Sequence, residues 1–249
     1  EKDALIGVSM TGIGSAAVLQ MDMKAAASIV KRENTRVSKL IGINRAARTT
    51  CVKPAGTTSL VLGTSSGIHA WHNDYYIRRL RVGKNEAIYT YLKQNHPELV
   101  EDEYFRPHDT AVIEIPQSAP KGSILRTESA FDLLERVKKV ATEWVQPGHR
   151  AGNNTHNVSA TISLKQEDWD KAGEWMWKNR DCYNGLSVLP YDGGTYTQAP
   201  FEDIKKSEFD KLVKSLHDVD ITKVKETTDE TDLSGELACA GGSCEITGL

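Results

Sequence analysis

The sequence predicts an α/β fold laid out on a parallel sheet. Short runs rich in β-branched residues alternate with longer amphipathic stretches, and Gly or Pro punctuates the ends of the runs. Strand, helix, strand, helix, strand in succession is the pattern of parallel strands joined by right-handed helical crossovers. Ser15 to Ala47 is rich in Ala, Met, Lys and Arg with few breakers, which predicts one or two helices. Thr49 to Lys53 reads as a short strand ended by Pro54-Ala-Gly56, and Thr57 to Leu62 as a short helix closed by Gly63. Ala111 to Ile115 reads as a further strand bounded by Pro116. A helix follows over Glu128 to Val145, where Phe131, Leu134, Val137, Ala141 and Trp144 recur at helical spacing until Pro147-Gly148. Asn157 to Leu164 is a strand, and Glu167 to Asn179 is an amphipathic helix with Trp169, Ala172 and Met176 on one face. Leu186 to Leu189 is another strand, closed by Pro190-Tyr-Asp-Gly-Gly194, and Phe209 to Leu216 predicts one more helix. No internal repeat is evident.

Composition narrows the class. Hydrophobic residues make up 39% and charged residues 26% of the 249, ordinary for a globular chain of one large or two small domains. A net charge of -3 gives no electrostatic reason to expect a nucleic-acid partner. No apolar run approaches the ~20 residues that cross a bilayer, and no signal peptide is present, so no membrane association is expected. Four cysteines are too few for a disulfide framework, which places the protein in a reducing cytoplasm. Neither the cysteines nor His69, His72, His149 and His156 have zinc spacing, so no metal site is expected. The opening Glu1-Lys-Asp-Ala-Leu-Ile reads as mid-domain text, and the polypeptide is expected to begin well upstream.

Two segments carry chemistry. The first is the turn Ala55, Gly56, Thr57, Thr58 and Ser59 between a strand and a helix. Gly56 lets the backbone approach a ligand, the first helical amides lack intrahelical acceptors, and three hydroxyls add donors. This is the layout of a phosphate site at the carboxyl end of a strand. It is also the layout of a capped helix start with no ligand. The turn is neither a Walker A loop nor a GxGxxG fingerprint, so it specifies no particular nucleotide. The second is Cys239-Ala-Gly-Gly-Ser-Cys244. The preceding Thr222 to Leu237 has few apolar residues and a surplus of acids, which predicts a flexible tether. A dithiol on a tether suits the carriage of electrons. The predicted division is therefore a folded part, 1–221, and an acidic tail, 222–249.

Several segments, in order, resemble one family. They are Lys53-Pro-Ala-Gly-Thr-Thr-Ser59, Gly67-Ile-His69 with Tyr75-Tyr-Ile-Arg-Arg79, Trp144-Val-Gln-Pro-Gly148, His156-Asn-Val-Ser159, Leu189-Pro-Tyr-Asp-Gly-Gly-Thr-Tyr196 and Ala199-Pro-Phe-Glu202. Together they resemble the catalytic chain of ribonucleotide reductase, in particular the adenosylcobalamin-dependent class II enzymes of the ribonucleoside-triphosphate reductase type. The resemblance implies the C-terminal half of a ten-stranded α/β barrel built from two five-stranded halves. It implies reduction of ribonucleoside triphosphates to 2'-deoxyribonucleoside triphosphates by a thiyl-radical mechanism with adenosylcobalamin. It implies that Ala55 to Ser59 hold the substrate phosphates. Cys239 and Cys244 would be the shuttle pair, re-reducing an active-site disulfide and being reduced in turn by a thioredoxin-like protein. From Ile221 to Cys239, at ~3.3–3.6 Å per residue, the tether reaches ~60 Å when extended.

The sequence departs from the family in one respect. The finger-loop motif that bears the radical cysteine with nearby Asn and Glu is not found, so a missing N-terminal part of the reductase is an expected partner, and this chain alone is not expected to turn over. A ribonucleoside-diphosphate reductase and a non-catalytic nucleotide-binding or electron-shuttle piece of a split reductase remain as alternatives. No class I tyrosine pair is seen between the last strand and the tail, which favours cobalamin. Cys51 and Cys182 read as plain buried thiols and Tyr75-Tyr76 as a packing pair. Trp169, Trp175 and Trp177 read as helix-face packing residues. Arg78, Arg79 and Arg81 read as anion contacts or as an ion-paired strand end, and Asn153, Asn154 and Asn157 as site-mouth or turn residues.

Overall fold

The computed structural model describes residues 5–191, 193, 197–216 and 219–226. In chain order the first elements are β1 (Val8–Ser9), α1 (Met23–Ile41), β2 (Thr50–Cys51), α2 (Gly56–Val61), β3 (Tyr75–Gly83), α3 (Ala87–Asn95) and β4 (Val100–Asp102). They are followed by β5 (Thr110–Ser118), α4 (Ala130–Val140), β6 (Thr161–Leu164), α5 (Trp169–Lys178), β7 (Ser187–Pro190), β8 (Phe201–Asp203) and α6 (Lys206–Leu216). The described residues form two compact units. One comprises the residues up to Trp71 together with Lys121–Tyr191, and the other His72–Pro120 with the described residues beyond Tyr191.

The first unit is the parallel one. Val8 and Ser9 of β1 pair with Thr50 and Cys51 of β2, and β6 pairs in parallel with β7 from Thr161–Ser187 to Leu164–Pro190. A parallel bridge between Val52 and Val158 links the two pairs. α1 lies between β1 and β2 in the chain and α5 between β6 and β7, as parallel pairing requires. The α1 start is capped by Asp22, whose carboxylate accepts from the Ala25 amide at 2.9 Å, and Gly42 ends the helix in the left-handed region at φ 73°. Within the predicted 15–47 helical stretch, residues 17–20 form a separate 3-10 turn before α1. α4 begins with a reciprocal capping box between Ser129 and Asp132. It continues through a π turn over Ala141–Val145. Leu134, Val137, Val140, Ala141 and Trp144 from this segment, with Val52, Val158, Ile162 and Leu164 from the strands and Met23 and Ala27 from α1, make one buried core. The helical spacing of α4 therefore identified its buried face.

The second unit overturns one expectation. The predicted strand around Ala111–Ile115 is β5, and it belongs to an antiparallel sheet of order β4-β5-β3-β8 rather than to the parallel array. β5 pairs with β3 over nine residues, from Tyr75–Ser118 to Gly83–Thr110. The charged run Ile77-Arg-Arg-Leu-Arg81 hid β3, because arginine is a poor signal for a strand. The structure makes it a strand through cross-strand partners. Arg79 stands opposite Glu114 and pairs with it at 2.7 Å, and Arg78 stands opposite Phe201 with its guanidinium 4.3 Å from the ring centre. Val82, Leu92, Leu99, Val100 and Ala111 form the core of this unit. Among the described residues no helix is long and apolar enough to cross a membrane.

Leu134 is 1% exposed within the first core. Leu134→Ala is expected to destabilise the chain by about 2–5 kcal/mol in urea denaturation. Glu33→Ala, on the exposed face of α1, is expected to shift stability by no more than about 0.5 kcal/mol.

Candidate functional site

The predicted turn lies where a parallel strand gives way to a short helix. β2 ends at Cys51, Val52 forms its bridge, and Pro54 precedes the six-residue α2. The strand is braced from behind by the Trp144–Gly148 segment. The Thr50 hydroxyl donates to the Trp144 carbonyl at 2.7 Å, the Thr49 hydroxyl donates to the Gly148 carbonyl at 2.8 Å, and the Trp144 indole N–H donates to the Cys51 carbonyl at 3.0 Å. A side chain at 148 would place its Cβ 1.8 Å from the Thr50 hydroxyl, so only glycine fits. Trp144 and Gly148 thus owe their places in the sequence to the support of β2.

On its other side the turn is tied to the loop 64–70. The Ala55 amide donates to the Ser66 hydroxyl at 3.1 Å, and the Lys53 amide donates to the Ser9 hydroxyl of β1 at 3.0 Å. Gly67 sits at φ 54°, and an added Cβ would lie 2.8 Å from the Lys53 carbonyl oxygen. The chain therefore crosses itself at van der Waals contact directly behind the turn. Thr11, just after β1, interlocks with the same loop. Its hydroxyl donates to the Ser65 carbonyl at 3.0 Å and accepts from the Gly67 amide at 2.9 Å. The Gly12 amide donates to the Ser65 carbonyl and the Ile13 amide to the Gly67 carbonyl, at 2.9 and 3.1 Å. Two loops that follow adjacent parallel strands are joined at one end of the array, where such folds place ligands.

Within the turn the hydroxyls differ. Ser59 is buried and donates to the Gly56 carbonyl at 2.8 Å, while Thr58 is exposed. Cys51 is 7% exposed. Burial pushes its thiol pKa up, against smaller opposing effects of a Ser9 hydrogen bond and the Lys53 charge, so the thiol stays protonated and inert. The buried-thiol reading holds for Cys51. Cys182 is only half-buried, because it lies in a 3-10 turn after α5 rather than on a core face. Cys239 and Cys244 lie outside the described residues.

A buried ion pair holds the loop from below. Both guanidinium Nη atoms of Arg136 donate to the Glu128 carboxylate at 2.6 Å, and Nε donates to the Ile68 carbonyl at 3.1 Å. The side chains are 5% and 13% exposed. His69 is held at both ring nitrogens, by the Ser66 carbonyl at Nδ1 (3.2 Å) and the Thr161 amide at Nε2 (3.1 Å). Thr161 N–H is a donor, so Nε2 accepts and Nδ1 carries the proton. Burial holds the His69 pKa below the ordinary histidine value. The Ser66 bond opposes this, and the Arg136 and Arg126 charges add to it. Sequence reasoning named Gly67-Ile-His69 only as a family motif and passed over Ser66, Arg136 and Glu128. The clue was the glycine pair Gly12-Ile-Gly14 after one strand answering Gly67 after the next.

The remaining candidates stand elsewhere. Tyr75 and Tyr76 pack against Phe209 and Phe201 respectively, and burial raises the Tyr76 hydroxyl to about 12. Arg79 also pairs with Glu202, and Arg81 meets Glu103 at 3.4 Å, so these cations serve the sheet. Asn157 joins loops by donating to the Gly185 carbonyl at 2.8 Å and accepting from the Asn184 amide at 3.2 Å. Trp175 packs as expected and donates to Glu135 at 2.6 Å. Trp177 is 73% exposed and lies under Arg180, because α5 buries the Ala172 side of the helix and 177 falls off that face. No group of three or more His, Cys, Asp or Glu side chains suited to a metal occurs among the described residues.

Removing the Glu128 carboxylate would leave a buried guanidinium unpaired. Glu128→Ala is expected to cost about 3–5 kcal/mol by chemical denaturation. The double variant Arg136→Met with Glu128→Leu is expected to recover most of that loss.

No family model matches the chain. The adenosylcobalamin-dependent ribonucleoside-triphosphate reductase of Lactobacillus acidophilus is 28% identical over 212 residues, covering 84% of this chain and 28% of the relative. The protein of the same name from Euglena gracilis is 26% identical over 254 residues, covering 96% of this chain and 33% of the relative. A crystal structure of a B12-dependent, class II ribonucleotide reductase matches with a TM-score of 0.71 at 23% identity, over 90% of this chain and 34% of that one. The fold is thus that of a class II ribonucleotide reductase segment, and the relatives carry the name that the motifs suggested. The chain spans about a third or less of the length of these relatives.

Proposed function

We propose that this chain is the C-terminal portion of an adenosylcobalamin-dependent ribonucleoside-triphosphate reductase, and that its parallel unit forms part of a ten-stranded α/β barrel. The observation that supports this most is the joined pair of loops at one end of parallel strands, in a chain whose relatives are such reductases over most of its length. The substrate is a ribonucleotide, its phosphates held by the turn Ala55–Ser59. The early amides of α2 and the exposed Thr58 hydroxyl supply donors, and the cross-braces through Ser66, Ser9 and Trp144 keep the turn in place. Ser59 shapes the turn through its bond to Gly56.

The net reaction replaces the ribose 2'-hydroxyl by hydrogen. Two thiols become a disulfide, the substrate gains two electrons and two protons, and water leaves. A dithiol at Cys239 and Cys244 returns the two electrons by thiol–disulfide exchange. Its thiolate attacks the internal disulfide, the tail pair closes to a disulfide, and a thioredoxin-like dithiol reopens it. Adenosylcobalamin supplies the radical chemistry when bound. His69 is bonded at both ring nitrogens, so its imidazole does not fit a cobalt-ligand role. No residue of this chain is assigned to the cofactor. The setting is a reducing cytoplasm, which keeps such a pair cycling.

In the whole reductase, Cys239→Ser and Cys244→Ser are each expected to abolish turnover driven by a thioredoxin-like protein while leaving turnover with a small dithiol largely intact. Equal loss with both reductants would remove the shuttle role. Comparing the affinities of a nucleoside diphosphate and the matching triphosphate separates the two substrate classes.

A further inference from the structure

We infer that His69 is a positioning residue for the phosphate turn, acting in its neutral Nδ1-protonated form as a strut between β6 and that turn. This inference rests on the reading of Ala55–Ser59 as the substrate-phosphate site. The path is short and continuous. The Thr161 amide, at the start of β6, donates to His69 Nε2 at 3.1 Å, His69 Nδ1 donates to the Ser66 carbonyl at 3.2 Å, and the Ser66 hydroxyl accepts from the Ala55 amide at 3.1 Å. One imidazole thus connects a core strand to the first residue of the turn. The loop between is fixed by the Gly67 crossing over Lys53 and by the Arg136 bond to the Ile68 carbonyl.

The surroundings of the ring admit only the neutral form. Its two sites need one donor and one acceptor, and a protonated ring offers two donors, one of them aimed at the Thr161 N–H. The charged groups around it are Arg136 from α4 and Arg126 from the segment before it, both of which oppose a second positive charge, with Glu128 already engaged by Arg136. The folded-state pKa lies below that of the free side chain. The strut is therefore fully present above the ordinary histidine value of ~6.5 and is lost only as pH falls through the lower folded-state pKa, when proton uptake breaks the Thr161 bond. The turn then loses its tie to β6 and holds phosphate less well.

The test uses the whole reductase and a ribonucleoside triphosphate as probe, with equilibrium Kd and the KM and kcat split measured from pH 5.5 to 8. His69→Leu removes both bonds and is expected to raise Kd and KM about tenfold at pH 8, with a smaller change in kcat, and the difference from the native protein is expected to narrow on acidification. His69→Gln keeps an acceptor and does not titrate. It is expected to bind like the native protein at pH 8 and to weaken less than the native protein on acidification, a comparison in which titration of the nucleotide cancels. Gly56→Val in the turn itself is the reference. If Gly56→Val weakens binding while His69→Leu binds as the native protein does, the strut is refuted and the turn stands. If neither variant changes Kd, the phosphate reading of the turn fails. Should His69→Leu not fold, His69→Gln decides alone: an acid-dependent loss identical to the native one overturns the inference.

Discussion

A guanidinium removed from water must find its charge and its hydrogen bonds inside the protein, and Arg136 finds both at once. Glu128 takes two of its donors and the Ile68 carbonyl takes a third. The cost of burying that cation is what makes the arrangement stiff, because shifting the loop that carries Ile68 would strip a buried charge of a partner. Ser65, Ser66, Gly67 and His69 inherit their positions from this anchor, and through Ser66 so does Ala55. The candidate site is therefore built as much from a helix and a loop packed against it as from the turn itself.

Much of the first unit could be read in the sequence. Its strands and helices are local statements: a capping residue, a period of 3.6 residues, a glycine stop. Ser129 with Asp132, and Leu134 with Val137, Ala141 and Trp144, announce α4 without reference to anything distant. The strand before Pro54 and the helix after it were equally plain. The antiparallel sheet was not, because β3 depends on partners far along the chain. Arg79 belongs in a strand only once Glu114 stands opposite it, and Arg78 only once Phe201 does.

The site divides along the same line. Gly56 and the neighbouring hydroxyls are visible as a pattern, since the role proposed for them depends on backbone freedom and on helix geometry. The roles of Ser66, His69 and Arg136 depend on contacts spanning 11, 92 and 68 residues respectively. Such contacts leave no local mark beyond the glycines that permit close approach. The exposure of Trp177 has the same origin, because periodicity gives the faces of a helix but the neighbours decide which face is covered.

The π turn at Ala141–Val145 carries a consequence for how this segment tolerates change in length. A π turn is a helix holding one residue more than its pitch requires. That surplus residue sets the azimuth at which Trp144 leaves the helix and lets its indole reach the Cys51 carbonyl while Val137 and Val140 stay in the core. Each residue of an α-helix advances the side-chain direction by ~100°. Excising one residue here would regularise the helix, swing the indole away from the strand and close no gap in compensation. Length polymorphism should therefore be purged from this turn even where amino-acid identity drifts.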